Sequence, residues 1–205
     1  MEKMRRRIGL MGGTFDPIHI GHLMLAECAY EQFGLEKVLF LPSGNPPHKA
    51  KETVGASDHD RVQMVRRAIA GNPHFGLDAE EMYREGYTYT NDTLELLTAA
   101  HPDVDYYFII GADSLMSFDT WYRPDGICQH CILTVAVRDQ LDPGTIRQKM
   151  EELRERYQAR IYLLQTPDVD IASSRLRAMR RQRRSIRYYV PDEVYRYIEE
   201  HGLYL

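Results

Sequence analysis

Long apolar runs are what this chain of 205 residues most plainly lacks. Tyr106 to Ile110 and Cys131 to Val137 fall far short of the roughly 20 residues that a bilayer-spanning helix needs, so no membrane segment is expected. Cysteine is scarce as well. Cys28, Cys128 and Cys131 are too few, and odd in number, for a disulfide framework, which agrees with a reducing compartment. Cys128 and Cys131 bracket His130 in a CxxC, yet no second pair of ligands follows at like spacing, as a structural zinc site requires. Cys131 therefore reads as the start of a buried strand. Nor is charge of one sign in excess: 26 Lys and Arg against 30 Asp and Glu give a net charge of -4, so nothing global advertises a nucleic-acid or membrane partner. Any anion site must be local. Met1 to Met11 carries Arg5, Arg6 and Arg7 but neither a long apolar stretch nor a small-residue cleavage site, so no signal peptide is expected and the cytoplasm is the default.

What is present is an ordinary globular composition, 43% hydrophobic and 27% charged with 14 Gly and 10 Pro, at a length typical of one domain. Residues 1–205 are expected to form that domain, with residues 1–6 frayed. Short apolar runs alternate with helix-period segments along the chain, the pattern of βαβ units, which predicts an α/β fold built on a doubly wound parallel sheet. The expected strands are Ile8 to Met11, Val38 to Leu41, Phe75 to Asp78, Tyr106 to Ile110, Ile132 to Val137 and Ile161 to Leu164. Asp58 to Ala70 places Val62, Val65 and Ile69 on one stripe, with Arg61, Arg66 and Arg67 largely off it, and predicts a surface helix. A helix from His22 to Phe33 is expected to stop at Gly34, and a last one to open at Pro191 and close by Gly202. Pro and Gly cluster in Pro42 to Lys49, between a strand and a helix, where parallel sheets carry ligand loops.

The first strand runs into Gly12-Gly13-Thr14-Phe15-Asp16-Pro17-Ile18-His19-Ile20-Gly21-His22 and then at once into a helical pattern. Neither a Walker A lysine nor a GxGxxG fingerprint is there. The physics is nevertheless related: glycines let backbone N–H groups approach a ligand, and the following helix aims its positive end at a phosphate. His19 and His22 add donors at the same spot, although a histidine alone would more often only cap and pack a helix. A second loop entering a helix, Ile171-Ala172-Ser173-Ser174-Arg175-Leu176-Arg177, supplies hydroxyl and guanidinium donors suited to polyphosphate, where one serine alone would be an N-cap. The basic run Arg180, Arg181, Arg183, Arg184 and Arg187 reads as a solvated helix face, since no aromatic platform is interleaved before Tyr188 and Tyr189.

The pattern GGTFDPxHxGH resembles the nucleotidyltransferase superfamily that shares an HxGH signature with class I aminoacyl-tRNA synthetases; no KMSKS segment or anticodon-binding domain accompanies it. Ser173 to Arg177 resembles the superfamily's SSTxxR signature, with Ala172 in place of a first Ser and Ser174 in place of Thr. Further stretches narrow the resemblance to bacterial nicotinate-mononucleotide adenylyltransferases, over nearly the whole chain. Leu41 to Lys49 resembles that family's PPHK loop, Glu81 to Gly86 with Tyr89 to Leu94 its E..R.G.SYT.DTL stretch, and Phe108 to Asp113 with Trp121 its FIIGAD...W region. Thr88 stands where those relatives usually have Ser.

The resemblance implies that nicotinate mononucleotide attacks the α-phosphorus of ATP in line, releasing pyrophosphate, with Mg2+ held mainly by phosphate oxygens and no protein metal site. It implies catalytic roles for His19, His22 and Arg177, with His22 at the α-phosphate. ATP would be met by Gly12, Gly13, Thr14, Phe15, Gly111, Asp113, Arg138, Ile171, Ser173 and Ser174. Nicotinate mononucleotide would be met by Thr14, His48, Lys49, Asp113 and Trp121, and its carboxylate by backbone amides around Tyr89 and Thr90. Plain structural uses compete for several of these: a helix N-cap for Asp113, core packing for Trp121, a surface salt bridge for Arg138. Small-molecule substrates, no nucleic acid and no membrane are the partners implied, and a homo-oligomer is left open. Sibling transferases acting on nicotinamide mononucleotide or phosphopantetheine, and a noncatalytic nucleotide- or RNA-binding module, are the alternatives.

Overall fold

A computed structural model describes residues 5–44, 55–137 and 142–205 of the chain. In order come β1 (Arg6–Gly13), α1 (Ile20–Phe33), β2 (Lys37–Pro42), α2 (Asp58–Ile69), β3 (Phe75–Leu77), α3 (Thr90–Ala100), β4 (Val104–Gly111), α4 (Ala112–Met116), α5 (Pro124–His130), β5 (Cys131–Ala136), α6 (Pro143–Tyr157), β6 (Ile161–Leu164), α7 (Ser173–Arg181) and α8 (Asp192–Glu200). Short 310 turns cover Glu80–Tyr83 and Phe118–Thr120. The strands form one sheet in the order β3-β2-β1-β4-β5-β6. That order reverses between β1 and β4, the switch point whose carboxyl edge holds the ligand crevice in doubly wound sheets.

Each expected strand is found: β1, β2 and β4 are extended by one or two residues at each end, β5 is shifted to start at Cys131 and end at Ala136, β3 stops one residue short at Leu77, and β6 is as expected. β1 begins at Arg6, inside the stretch expected to fray, and Arg5 pairs with Asp105. Local chemistry sets the helix ends. Ser57 accepts from the Asp60 amide at the start of α2, Asp142 accepts from the Thr145 amide ahead of Pro143 in α6, and Gly34 leaves α1 in the left-handed region at φ +58°. α1 begins at Ile20, two residues earlier than expected, so His22 lies inside its first turn.

The chain gathers into two compact units, and β1 and β2 are each divided between them. The first comprises the described parts of Met1–Met11, Leu25–Leu39 and Tyr89–Asp168. Here β1 pairs parallel with β4, β4 with β5 and β5 with β6. β5, the continuous apolar run that begins at Cys131, is buried along its whole length, and Leu115, Phe118, Ile146 and Leu153 pack into the same core. α3 packs on α5, where a Cβ on Gly126 would lie 2.0 Å from Asn91 Oδ1.

The second unit comprises Gly12–Met24, the described parts of Phe40–Thr88, and Val169–Leu205. Its core joins Phe15, Ile18, Phe40, Met64, Val65, Ile186, Val194 and Ile198, all buried, with α2 against α8. Two arginines depart from expectation. Arg61 is 1% exposed, not part of a solvated face, and Arg180 is buried and paired with Glu199, while Arg181, Arg183, Arg184 and Arg187 are exposed as expected.

Candidate active site

The loop after β1 is held open by buried ion chemistry on both sides. Gly12 and Gly13 close the strand, and the Gly13 carbonyl accepts from the Ser43 amide at 2.9 Å. Arg61 Nη1 donates to the Thr14 carbonyl at 2.7 Å and to the Ser43 carbonyl at 2.9 Å, while its Nη2 pairs with Asp58 at 2.7 Å. Two half-buried loop carbonyls thereby gain a charged donor. Phe15, at φ +51°, turns its ring into the core, 5.1 Å edge-on to His22 and 5.8 Å from Phe40.

His19 and His22 are brought into contact: their rings stack with centroids 3.7 Å apart and 21° between planes. The His19 amide donates to His22 Nδ1 at 3.2 Å. In the neutral imidazole this leaves the proton on Nε2, so His22 is a donor at its other end. Gly21 explains the spacing, because a Cβ there would sit 3.1 Å from His19 Nδ1. His19 is buried and His22 half-buried.

α7 is bonded directly to this loop. Ala172 occupies its N-cap position and supplies no side-chain cap. Ser173 Oγ donates to the Pro17 carbonyl at 2.9 Å, so this hydroxyl holds the loop, while Ser174 is exposed. Arg177 Nη1 donates to the Asp16 carbonyl at 2.7 Å and lies 3.4 Å from Asp16 Oδ2. Ile171 lies against the position of Gly21. Gly12, Gly13, Thr14, Phe15, His19, His22, Ile171, Ser173, Ser174 and Arg177 thus all fall in the second unit.

Gly111, Asp113, Tyr89, Thr90 and Trp121 fall in the first. Gly111 ends β4 and holds the N-cap position of α4, so Asp113, exposed in the first turn, is not the helix cap that the sequence allowed. Trp121 is half-buried, its ring 5.5 Å from Phe118 and 6.2 Å edge-on to Phe108. Tyr89 is the N-cap residue of α3 and makes no side-chain cap, and its ring lies 4.3 Å from Tyr122. Thr90 opens the helix, whose first-turn amides carry the positive end of its dipole. His48, Lys49 and Arg138 lie outside the described residues.

Three residues of the site escaped the sequence reading. Arg61 carried a usable signal: it stands four residues before Val65 and eight before Ile69, on the buried line of α2. Asp16 lay inside the motif without an assigned role. Tyr204, whose hydroxyl donates to Asp16 at 2.8 Å, likewise had no assigned role. The CxxC pair is buried. Burial and the carboxylates of Asp125 and Asp119 push the Cys128 thiol up to about 12, and burial raises Cys131 further, with its Sγ donating to the Ile127 carbonyl. Among the described residues no group of three or more His, Cys, Asp or Glu is placed to hold a metal, and no helix is long and apolar enough to cross a membrane.

The cytidylyltransferase-like family profile matches residues 10–179, which sets the class. A protein of Lachnoclostridium phytofermentans carrying the name "Probable nicotinate-nucleotide adenylyltransferase" is 46% identical, over 98% of this chain and 100% of its own length. One of the same name from Symbiobacterium thermophilum is 43% identical over 97% of this chain and 95% of its own length. The chain belongs to the nicotinate-nucleotide adenylyltransferase family. Among solved structures, Plasmodium falciparum nicotinic acid mononucleotide adenylyltransferase complexed with NaAD aligns with a TM-score of 0.79, and the same enzyme complexed with APC with 0.77, each over 97% of both chains at 20% identity. At that identity the likeness establishes the fold.

Proposed function

We propose that this chain transfers the adenylyl group of ATP to the 5′-phosphate of nicotinate mononucleotide, giving nicotinate adenine dinucleotide and pyrophosphate. The observation that carries the reading is the stacked His19–His22 pair, with the Nε2 proton of His22 fixed by the His19 amide and Arg177 bonded into the same loop. A phosphate oxygen of the mononucleotide forms the new bond to the α-phosphorus, and the bond from the α-phosphorus to the bridging oxygen of pyrophosphate breaks. The second pKa of a phosphate monoester is about 6, so the nucleophile is already dianionic at neutral pH and needs no general base. Rate comes from positioning and from donors aimed at the charge that grows in the transition state.

In this reading His22 donates to the α-phosphate and His19 to a neighbouring phosphate oxygen. The amides at Gly12, Gly13 and Thr14 line the nucleotide, and the Ser174 hydroxyl, the Ser173 amide at the start of α7 and Arg177 meet the β- and γ-phosphates. Mg2+ enters with ATP as part of the substrate and is held by phosphate oxygens, which suits a loop whose one carboxylate, Asp16, is already bonded to protein donors. Asp113 takes ribose hydroxyls, Trp121 stacks on the pyridine, and the uncapped first turn of α3 at Tyr89 and Thr90 takes the nicotinate carboxylate. His48 and Lys49 at the mononucleotide, and Arg138 at the adenosine, remain assignments of the family resemblance. The whole chain acts as one nucleotidyltransferase domain in the cytoplasm, a compartment that suits three free thiols.

Incubation with ATP, Mg2+ and nicotinate mononucleotide, followed by chromatography and mass detection, is expected to yield the dinucleotide and pyrophosphate in equal amounts. Folded protein that forms neither would sink the reading.

A further inference from the structure

Asp16 is 2% exposed, yet its carboxylate is ringed by donors from three distant parts of the sequence. The amides of Gly55 and Ala56 reach it at 2.7 and 3.1 Å, the Tyr204 hydroxyl at 2.8 Å, and the Arg177 guanidinium lies 3.4 Å from Oδ2. An ionised carboxylate this deeply buried is tolerable only when so many donors converge on it. They converge tightly: a Cβ on Gly55 would lie 2.9 Å from the Tyr204 ring and 3.0 Å from Arg177 Cδ. Burial, then the charge of Asp16 and its hydrogen bond, raise the Tyr204 phenol far above its ordinary range, so it stays protonated and donating.

Arg177 is held by the same residue twice, through the Asp16 carbonyl and the Asp16 carboxylate. A guanidinium near a helix start otherwise samples many rotamers, and fixing it before ATP arrives removes that ordering cost from binding. Asp16 also stands three residues before His19, so the residue that holds the arginine belongs to the histidine loop itself. We propose that Asp16 is a positioning residue for adenylyl transfer, holding Arg177 in place for the ATP phosphates, and that Tyr204, at the far end of the chain, holds Asp16 in turn. This inference rests on the role given to Arg177 above.

The test is the steady-state kinetics of Asp16→Asn, Tyr204→Phe and Arg177→Ala, singly and as the doubles Asp16→Asn/Arg177→Ala and Tyr204→Phe/Arg177→Ala, with each folded fraction checked by circular dichroism. Asp16→Asn is expected to raise KM for ATP about tenfold and Tyr204→Phe about threefold, with KM for nicotinate mononucleotide nearly unchanged. In the Arg177→Ala background neither substitution should raise KM for ATP further, because the group they position is gone. Effects that multiply independently of Arg177, or a lowered Tm with unaltered KM, would overturn the proposal. An Arg177→Ala enzyme that is unimpaired overturns the role of Arg177 and this inference with it. An impaired Arg177→Ala beside normal Asp16→Asn and Tyr204→Phe overturns this inference alone. If Asp16→Asn does not fold, Tyr204→Phe, which removes a single hydroxyl, decides the matter by itself.

Discussion

His22 owes its assigned chemistry to one backbone hydrogen bond, the His19 amide to Nδ1, which settles where the ring proton sits. His22→Ala is expected to lower kcat on the order of a hundredfold, since a donor to developing charge is lost, while thermal unfolding stays close to that of the parent. Near-normal turnover in that variant would remove His22 from the mechanism. Arg61 works differently, as a buried cation feeding two loop carbonyls. Arg61→Met would leave the Thr14 and Ser43 carbonyls without those donors and is expected to cost about 2–4 kcal/mol, read as a lower urea midpoint at constant slope. An unchanged midpoint would mean that water replaces the guanidinium at no loss. At this scale the motifs did foretell which residues the fold brings together, the His19–His22 stack and Arg177 bonded into the same loop. The sequence was opaque where a residue's partner lies far along the chain. The two groups that meet Asp16 side chain to side chain come from positions 177 and 204, and nothing local announces either meeting.

Among the elements, the strands were legible because a parallel sheet buried on both faces needs continuous apolar runs, which Tyr106 to Ile110 and Ile132 to Ala136 supply. The start of α1 was read two residues late, because His19 and Ile20 carry no capping side chain and the Ile20 amide is instead met by the Tyr189 carbonyl at 2.9 Å. α3 and α5 meet at Gly126, where an added methyl group would collide with Asn91 in the first turn of α3. Gly126→Ala is therefore expected to raise KM for nicotinate mononucleotide several-fold, about 1 kcal/mol or more, and to spare KM for ATP, if the amides of Tyr89 and Thr90 meet the acceptor. Equal changes in both constants would argue against that division. The turn at Phe118–Thr120 is fastened to α6 through Asp119, which accepts from Lys149, from Tyr157 at 2.8 Å and from Arg156 at 3.2 Å. The Lys149 hydrogen bond, opposed by burial and joined by Tyr157, holds the Asp119 carboxyl below its usual range. A depressed carboxyl adds stability above its unfolded pKa of about 3.9, and that contribution disappears as pH falls through the lower folded value. Melting curves from neutral to acid pH should therefore show the parent losing more stability than Asp119→Asn below about pH 4. Parallel losses would show that Asp119 contributes nothing to the acid limb.

For the molecule as a whole, a net charge of -4 stands beside the phosphate site proposed at the His19–His22 loop, a combination that suits a small-molecule enzyme handling phosphates better than a nucleic-acid binder. The α/β class and the family were within reach of the sequence, because periodicity and motif spacing are local properties; the order of the strands, a property of the assembled sheet, was not. Which side of the acceptor question the chain falls on is a property of the assembled pocket, where backbone amides at Tyr89 and Thr90 leave no mark in side-chain identity. The most direct test is pyrophosphate release from ATP and Mg2+ with nicotinate mononucleotide, nicotinamide mononucleotide or phosphopantetheine supplied separately as acceptor. Strong preference for nicotinate mononucleotide is the predicted result. Preference for either other acceptor, or no release with any of them from folded protein, would contradict the account.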